Sequence, residues 1–347
     1  MVLTSMTQAG EIDREASPGV EVARVPASHI LERRFFIPFP LFSPRLFIDA
    51  YRRLRQADVV HIHDVFYISS WVVTLMAAAM GKPIVLTQHV ALVEHASQFV
   101  MWIQRLVYAT FGKFIFRRAA LVVAYNANVR DFLIERGVPE RCILFLANGI
   151  DIDKFHPAAP GERHAIRERF GLPQDRALVL FVGRLVEKKG VRLLLKAKDS
   201  RFDLVFVGPG PIPEGGPFEG IHWLGSLDQM ATAEVYRACD LFAFPAIGEV
   251  LTLAMQESMA SGLPVVTTND AAYLSAEVSE VLLLCPRHAD NFREAICALL
   301  ADPERLRSLG TQSRSFAIRH FDWNVNFASL MNALNELIVG RFSSASR

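Results

Sequence analysis

The sequence predicts an α/β protein built on parallel sheets, and three observations support that prediction. Short runs of β-branched or aliphatic residues alternate with stretches of helical pattern, which is typical of strands joined by crossover helices. Most of these runs are continuously apolar, as expected for strands that are covered on both faces. The length of 347 residues, at about 150 residues per domain, fits two domains.

The candidate strands fall into two sets with a linker between them. The first set is 58–63, 83–88, 120–125 and 142–147, and the second is 177–183, 202–208, 221–224, 241–245, 264–268 and 281–285. The linker, residues 148–164, is rich in Gly, Pro and charged residues, so we expect the domain boundary near 155–161. The expected organisation is a polar, disordered N-terminus at 1–18, a first domain at 19–155, a second domain at 156–320, and a final helix with a tail at 321–347.

Composition and charge exclude several classes of protein. Hydrophobic residues make up 51% of the chain and charged residues 21%, a globular composition that excludes extended disorder, collagen and coiled coils. With 37 basic and 36 acidic residues the net charge is +1, so no nucleic-acid partner is expected. The four cysteines show no CxxC pairing, which indicates reduced, mostly buried thiols in a cytoplasmic protein. The N-terminus lacks a signal-peptide pattern, and the longest uncharged run, 65–81, is too short and too polar to span a membrane.

The segment 98–118 has the length of a helix and is both aromatic and basic. Residues 95–130 contain no Asp or Glu. On a helical projection Arg105, Lys113 and Arg117 fall within an arc of about 120°, with apolar residues around most of the remainder. Such a helix could lie on an anionic membrane surface. A core helix with a solvated basic stripe fits the pattern equally well, so both interpretations stay open.

A basic loop follows the strand candidate 177–183. Gly183 allows a tight turn, and Arg184 and Lys189 then project from the carboxyl edge of the sheet, where open α/β folds bind ligands. Two cations there suit a diphosphate, which Arg can bind with two hydrogen bonds and Lys as a point charge. Taken alone, the loop could also be a solvated surface, because several neighbouring residues are basic as well.

A helix is predicted after the strand candidate 241–245 and a short loop. It runs from about Thr252 to Ser261, because Gly262 and Pro264 form the expected stop pattern. Its N-terminus would point toward the sheet edge, where free amides and the positive end of the helix dipole are available to a phosphate.

Two carboxylates belong to the same segment. Glu249 lies in the loop and Glu257 lies within the helix. A carboxylate can accept hydrogen bonds from the vicinal hydroxyls of a ribose or a hexose. Cations for a diphosphate, flanked by two such carboxylates, indicate a nucleotide-sugar site.

With these motifs the sequence resembles the retaining glycosyltransferases of family 4, also described as glycosyl transferases group 1, which have the GT-B fold. Residues 183–190 match the G-R-L-x-x-x-K-G motif of that family, and Glu249 and Glu257 match its E-x7-E motif. Further similar segments are N-G-V-D at 148–151, V-G-x-G-P at 207–211, F-L-G at 223–225, E-A-M-A-x-G-x-P-V-V at 257–266 and the start of the last helix at 321–323. The resemblance covers roughly residues 58–325.

The resemblance implies two Rossmann-like domains that face each other across a cleft, with the C-terminal helix crossing back to the first domain. It implies transfer of a sugar, with retention of configuration, from a UDP- or GDP-linked donor to a glycan or a lipid-linked acceptor in cell-surface polysaccharide or glycolipid synthesis. No metal or other cofactor is expected, because the cations and the helix dipole stabilise the leaving phosphate. The alternative is a non-catalytic glycosyltransferase-like subunit that binds a nucleotide or a partner.

The same resemblance assigns roles to residues on the donor side. Gly183, Arg184 and Lys189 would bind the diphosphate, and Glu257 would hold the ribose. Glu249 would contact the transferred sugar. The loop before the helix would present further donor contacts, at Val250, Leu251 and Thr252.

Two histidines at strand ends are assigned to the acceptor side. His89 resembles the T-x-H of the family at the cleft, near the anomeric carbon or the acceptor hydroxyl, although it could also be a strand-end histidine without a special role. His61 and His63 lack a third ligand for a metal, so we expect His63 to line the acceptor side. The expected catalytic residues are Arg184, Lys189, Glu249 and His89.

The sequence departs from the family pattern in three places. It begins too late for the strand and the Gly-rich loop that open the first domain in this family, so we expect that unit to be missing. The Gly-Phe-Gly after the first Glu is replaced by residues 250–252, and a later Gly-Gly-x-x-Glu stretch is replaced at 271–274. Both substitutions would change contacts to the donor sugar.

Overall fold

The chain folds into two α/β units, each with its own parallel sheet and apolar core. The first unit contains residues 1–146 and 329–347, and the second contains residues 147–328. The computed structural model describes residues 2–6, 20–28, 30, 40–92, 97–212, 219–246, 251–270 and 276–340.

The first unit opens with a small sheet that the sequence did not predict. Strands β1 (Val2–Met6) and β2 (Val22–Ser28) pair in parallel, and β2 pairs antiparallel with β3 (Leu41–Phe42). The prediction of a disordered N-terminus at 1–18 is therefore wrong for β1, and a strand precedes β2 where none was expected. The residues that follow β1 in the sequence are polar, so local composition does not indicate a strand there. In the fold, pairing with β2 supplies hydrogen bonds to the backbone of β1. Residues 7–19 lie outside the described residues.

The main sheet of the first unit has four parallel strands in sequence order. They are β4 (Val60–His63), β5 (Ile84–Gln88), β6 (Ala119–Ala124) and β7 (Ile143–Phe145). Each one coincides closely with a strand predicted from a continuous apolar run. Complete burial of β5 shows why the run is continuous, since neither of its faces meets water.

Within the described residues of the first unit, five helices flank these strands in the chain. They are α1 (Arg45–Leu54), α2 (Ile68–Ala79), α3 (Gln98–Val107), α4 (Lys113–Arg118) and α5 (Ala127–Glu135). The segment predicted as one helix at 98–118 is α3 and α4, joined by a π-helical turn at Tyr108–Gly112. The side chain of Asn126 caps α5 by accepting a hydrogen bond of 2.9 Å from the amide of Val129.

The second unit contains a parallel sheet of six strands in the order β10–β9–β8–β11–β12–β13. The strands are β8 (Ala177–Val182), β9 (Phe202–Val207), β10 (Ile221–Gly225), β11 (Leu241–Phe244), β12 (Val265–Thr268) and β13 (Leu282–Cys285). The direction of travel reverses between β8 and β11, which is the doubly wound topology of dinucleotide-binding folds. The predicted fold class is confirmed.

Helices surround this sheet. They are α6 (Glu162–Arg169), α7 (Val191–Ala197), α8 (Gln229–Ala238), α9 (Leu253–Ala260), α10 (Ala276–Ser279), α11 (Ala289–Leu300), α12 (Pro303–Phe321) and α13 (Trp323–Ile338). Helix α9 is the helix predicted between Thr252 and Ser261, and the hydroxyl of Thr252 caps it by accepting from the amide of Met255 at 3.4 Å.

Helix α13 begins in the second unit, and from Ser329 onward it belongs to the first. Four of its side chains recur at the spacing of one helix face and pack on the main sheet of the first unit: Leu330, Ala333, Leu334 and Leu337. Their partners include Val85, Leu121 and Val123, whereas the alternate residues Ile84 and Leu86 of β5 belong to the core on the other face. The predicted return of the C-terminal helix to the first domain is therefore observed.

Arg314 of α12 ties the start of the second unit to its core. Its Nη1 donates to the carbonyls of Ile152 at 3.1 Å, Phe155 at 2.8 Å and Ala260 at 2.7 Å. These carbonyls belong to the segment after the unit boundary and to the end of α9. One guanidinium therefore satisfies main-chain acceptors from two separate parts of the chain.

We expect Arg314→Leu to destabilise the second unit, because it leaves those carbonyls without their donor. Loss of this donor should cost about 2 kcal/mol and lower the unfolding midpoint by roughly 4–8 °C in a thermal melt. Arg305→Leu, at an exposed position of the same helix, is the matched control and should shift the midpoint by about a degree or less. Equal shifts for the two variants would contradict this assignment.

Candidate active site

The predicted donor residues follow the strands at which the order of the second sheet reverses. Strands β8 and β11 are neighbours there. Gly183 follows β8, and Pro245 follows β11. In open α/β sheets, ligands bind in the crevice outside the carboxyl ends of the strands at this point. The fold thus brings Gly183, Arg184 and Lys189 to the edge of that crevice.

Glycines allow the loops after β8 and β9 to pack backbone against backbone. The amide of Gly183 donates to the carbonyl of Val207 at 2.9 Å. Gly208 has a φ of +134°, and a Cβ at this position would collide with the carbonyl oxygen of Gly183. Gly210, with a φ of +137°, lies against Leu185 in the same way. A side chain at either position would force these loops apart.

Gly190 brings the basic loop against β11. It has a φ of +81°, and a Cβ there would lie 2.5 Å from the carbonyl oxygen of Pro245. The preceding residue, Lys189, is half-buried, and its Nζ lies 5.3 Å from the centre of the Phe244 ring. Arg184 is exposed at the start of the loop. Lys189 is thus packed on an aromatic ring, whereas Arg184 is exposed to solvent.

Arg287 is a component of this edge that sequence reasoning missed. Its Nε donates to the carbonyl of Pro245 at 2.9 Å, and its Nη2 donates to the carbonyl of Glu187 at 3.5 Å. It therefore holds the loops after β8 and β11 together from a third strand end, that of β13. The available signal was a cation two residues beyond the predicted strand 281–285, much as Arg184 follows the predicted strand 177–183 by one residue.

The segment before α9 carries an unusual backbone. Leu251 has a φ of +39°, in the region that favours glycine. The side chain of Gln256 fixes this residue by donating from Nε2 to the carbonyl of Leu251 at 2.8 Å. Leu251 and Thr252 are both described, whereas Glu249 and Val250 lie outside the described residues.

Glu257 is held by a buried tyrosine. The hydroxyl of Tyr236 lies 3.1 Å from Oε2 of Glu257 and 3.0 Å from the carbonyl of Ala254. Tyr236 is fully buried, and burial raises the pKa of Glu257 to about 7 even though the tyrosine and Lys154 favour its charged form. Oε1 of Glu257 has no protein partner within the described ranges. The carboxyl group is thus oriented through one oxygen, which leaves the other for a hydroxyl donor.

The first unit aligns three histidines at the carboxyl ends of β4 and β5. The rings of His61 and His63 stack at 4.7 Å, and those of His63 and His89 stack at 5.3 Å. Nδ1 of His63 lies 3.0 Å from Nε2 of His89, so one ring donates to the other. Nε2 of His61 lies 2.7 Å from the hydroxyl of Thr87. The structure thus brings together the two histidines that the sequence assigned to the acceptor side.

Burial lowers the pKa values of two histidines in this row. Desolvation, together with repulsion from His63 and His89, lowers the pKa of His61 to about 4. Desolvation and His89 also lower the pKa of His63, although Asp64 opposes them. The contact between His63 and His89 requires that one of the two ring nitrogens accepts the hydrogen bond.

Asp64 lies beside the row of histidines and stabilises the backbone at His89 by a hydrogen bond. It was not among the predicted site residues. Its φ is +57°, and its Oδ1 accepts from Nε2 of Gln88 at 2.9 Å and from the amide of His89 at 3.0 Å. Desolvation raises the pKa of Asp64. A carboxylate straight after a strand, next to two histidines, was the signal available in the sequence.

No group of three His, Cys, Asp or Glu side chains within the described ranges is arranged to hold a metal ion. In those ranges, the side chains at the predicted donor site of the second unit offer cations and hydrogen-bonding groups. The three histidines and Asp64 of the first unit offer imidazole and carboxyl groups.

Comparison with known proteins finds family models for both units. Residues 162–316 match glycosyl transferases group 1, and residues 4–154 match Glycosyltransferase Family 4. The D-inositol 3-phosphate glycosyltransferase of Xylanimonas cellulosilytica is 28% identical over 360 residues, which covers 95% of this chain and 84% of that protein.

Solved structures share the fold. Sucrose-phosphate synthase from Thermosynechococcus elongatus superimposes with a TM-score of 0.75 at 23% identity, covering 97% of this chain and 88% of that one. Anabaena Alr3699/HepE, solved in complex with UDP, gives a TM-score of 0.70 at 17% identity, with coverage of 91% and 86%. At these identities the likeness concerns the fold alone.

One class of protein accounts for both Rossmann-like units and for the matches with known proteins: the glycosyltransferases of the GT-B fold. Within that class each unit matches one family model, and these matches support a glycosyltransferase of the group 1, family 4-like type.

Stability should depend on pH through Glu257. Its pKa is raised from 4.5 to about 7 in the folded protein, so the folded state holds a proton that the unfolded chain has already lost between those values. The contribution to stability is therefore fully present below about pH 4.5 and is lost as the pH rises through 7. We expect the melting temperature of Glu257→Gln to fall less than that of the wild type between pH 5 and 8.

Glu168→Gln, at an exposed position of α6, is the control for this measurement and should keep the wild-type pH profile. A Glu257→Gln profile parallel to that of the wild type would show that Glu257 titrates with an ordinary pKa.

Proposed function

We propose that this protein is a retaining glycosyltransferase that moves a sugar from a UDP- or GDP-linked donor to a glycan or a lipid-linked acceptor. The observation that supports the donor most strongly is the position of Arg184 and Lys189 at the reversal of the second sheet, with Glu257 one loop further along. Alr3699/HepE, which shares the fold, was solved with UDP.

In this proposal the second unit binds the nucleotide. The guanidinium of Arg184 would grip the diphosphate with two hydrogen bonds, and the ammonium of Lys189 would act as a point charge. The amides at the start of α9 would face the phosphates. Oε1 of Glu257 would accept from a ribose hydroxyl, with Oε2 fixed by Tyr236. Glu249, by resemblance, would contact the transferred sugar.

Sugar transfer would break the bond between C1 of the sugar and the diphosphate oxygen and would form a bond from C1 to the acceptor oxygen on the same face. The proton of the acceptor hydroxyl would pass to the departing diphosphate. Negative charge develops on the departing diphosphate, so Arg184 and Lys189 would stabilise it without a metal. On the first unit, the hydrogen-bonded pair of His63 and His89 would hydrogen-bond the acceptor or the transferred sugar.

The surface of the first unit favours a lipid-linked acceptor at the inner face of a membrane. Phe99 and Trp102 of α3 are exposed by 65% and 58%, and exposed Arg105, Lys113 and Arg117 follow them on the same helical segment. Apolar anchors beside cations complement an anionic bilayer. No helix in the described part of the chain combines the length and apolar character that a membrane span requires. We infer a cytoplasmic protein bound peripherally, acting in cell-surface polysaccharide or glycolipid synthesis.

The alternative is a non-catalytic, nucleotide-binding subunit. The loop before α9 favours it, because Val250, Leu251 and Thr252 replace the Gly-Phe-Gly of the family, and Leu251 adopts a positive φ without being glycine. Nucleotide binding without transfer of sugar from either UDP- or GDP-linked donors would favour this alternative.

Calorimetric titration with UDP and GDP tests the donor site. We expect one of the two nucleotides to bind with micromolar affinity. Arg184→Ala and Glu257→Ala should each weaken that binding roughly tenfold or more, because each removes hydrogen bonds to the nucleotide. Arg192→Ala, an exposed cation paired with Glu187 at 3.5 Å, is the control and should bind as the wild type does. Failure of the wild-type chain to bind either nucleotide would contradict the proposed function.

Co-sedimentation with vesicles tests the membrane surface. At low salt the chain should pellet with vesicles that contain anionic lipid, and Phe99→Ser should reduce the bound fraction several-fold by removing an apolar anchor. Phe327→Ser in α13, where the side chain is 51% exposed, is the matched control and should leave binding unchanged. An equal effect of both variants, or no pelleting of the wild type, would refute a membrane role for this helix.

A further inference from the structure

A basic pocket opens on the first unit between α4 and the end of α5. It encloses about 420 Å³ and is lined by Tyr108, Ala109, Lys113, Phe116, Arg117, Glu135, Arg136 and Gly137. None of these residues belongs to the donor loops or to the histidine row. The pocket therefore lies apart from the residues proposed for sugar transfer, although Lys113 and Arg117 also belong to the proposed membrane surface.

Local backbone geometry builds the pocket. Ala109, Lys113 and Arg117 recur every four residues through the π-helical turn and α4, so they line one wall. Ala109 is small, and Gly137, at a φ of +85° beyond α5, has no side chain and open space around its Cα. Buried Tyr108 and Phe116 form the floor. A π-helical turn is an uncommon feature that is often found at functional sites.

The pocket is positively charged and rigidly held on one side. The guanidinium of Arg136 lies over the rings of Tyr108 at 5.5 Å and Phe132 at 4.8 Å, which restrains it without neutralising its charge. Among the described residues, no carboxylate forms an ion pair with Lys113, Arg117 or Arg136. Glu135 is the single acidic lining residue, so three cations face one carboxylate.

We propose that this pocket binds a phosphate group. Two guanidinium groups and one ammonium line the cavity together with two aromatic rings, which suits an anion with several acceptor oxygens. The pocket continues the helical segment whose aromatic residues are exposed on α3. A lipid headgroup is therefore one source of the phosphate, and a soluble phosphate compound is the other.

Binding can be measured with inorganic phosphate and ¹⁵N-labelled protein. We expect the backbone amide signals of Ala109 and Gly137 to shift saturably. Because these amides belong to the pocket, binding at the donor loops of the second unit does not contribute to the readout. The double variant Arg117→Gln, Arg136→Gln should weaken binding roughly tenfold or more, and Ala109→Glu should abolish it by placing a carboxylate inside the cavity.

Arg118→Gln is the matched control, since it removes the same charge from the same helix at an exposed position outside the pocket lining. Phosphate binding should survive this change. The proposal would be overturned if the wild type shows no saturable shifts. It would also be overturned if Arg118→Gln and the pocket variants lose these shifts equally.

Vesicles separate the two sources of phosphate. Phosphatidylcholine vesicles are compared with vesicles that also contain phosphatidic acid. Selective loss of binding to the second kind in the pocket variants, but not in Arg118→Gln, supports a lipid headgroup. Loss of free phosphate binding alone, with vesicle binding unchanged, supports a soluble phosphate compound. Neither result depends on whether the chain transfers a sugar, so this test and that of the proposed function can fail separately.

Discussion

Close approach of backbone to backbone at one edge of the second sheet is the constraint on which the donor side depends. Gly208 and Gly190 leave no room for a side chain between the loops after β8, β9 and β11. These contacts fix the loops that carry Arg184 and Lys189 relative to one another. The two cations therefore belong to one fixed edge of the sheet, at the position where open α/β folds bind ligands.

The two units control the protonation and the orientation of their polar groups in the same physical way. In the second, burial beside Tyr236 favours the neutral form of Glu257, while a hydrogen bond fixes its orientation. In the first, stacking and desolvation favour neutral His61 and His63. In both units the surroundings of a group determine its protonation, and its hydrogen-bond partner determines its direction. Groups that are already oriented in this way lose little conformational freedom when a ligand binds.

Much of the fold could be predicted from the sequence because most of its strands are buried on both faces. Most strands from β4 to β13 are mainly apolar runs that local composition reveals, whereas β4 alternates apolar residues with His61 and His63. The short strand β1 could not be found in this way, since its partner β2 lies beyond an intervening polar segment.

The motif loops of the site could also be predicted, because their glycines and cations are contiguous in sequence. The supporting residues could not. Tyr236 lies 21 residues before Glu257, and the amide of His89 lies 25 residues after the Asp64 carboxylate that it contacts. Such contacts depend on which helices and strand ends the fold makes neighbours, and no local pattern records that.

Helix α13 has a consequence for the order in which the molecule can assemble on the ribosome. Val85, Leu121 and Val123 form an apolar face that Leu337 and its neighbours cover. The covering residues emerge only after the whole second unit has been synthesised, because the second unit lies between them in the chain. Throughout that interval this apolar sheet face of the first unit lacks the residues that cover it in the complete fold. The last turns of the nascent chain therefore complete the part of the molecule that was made first.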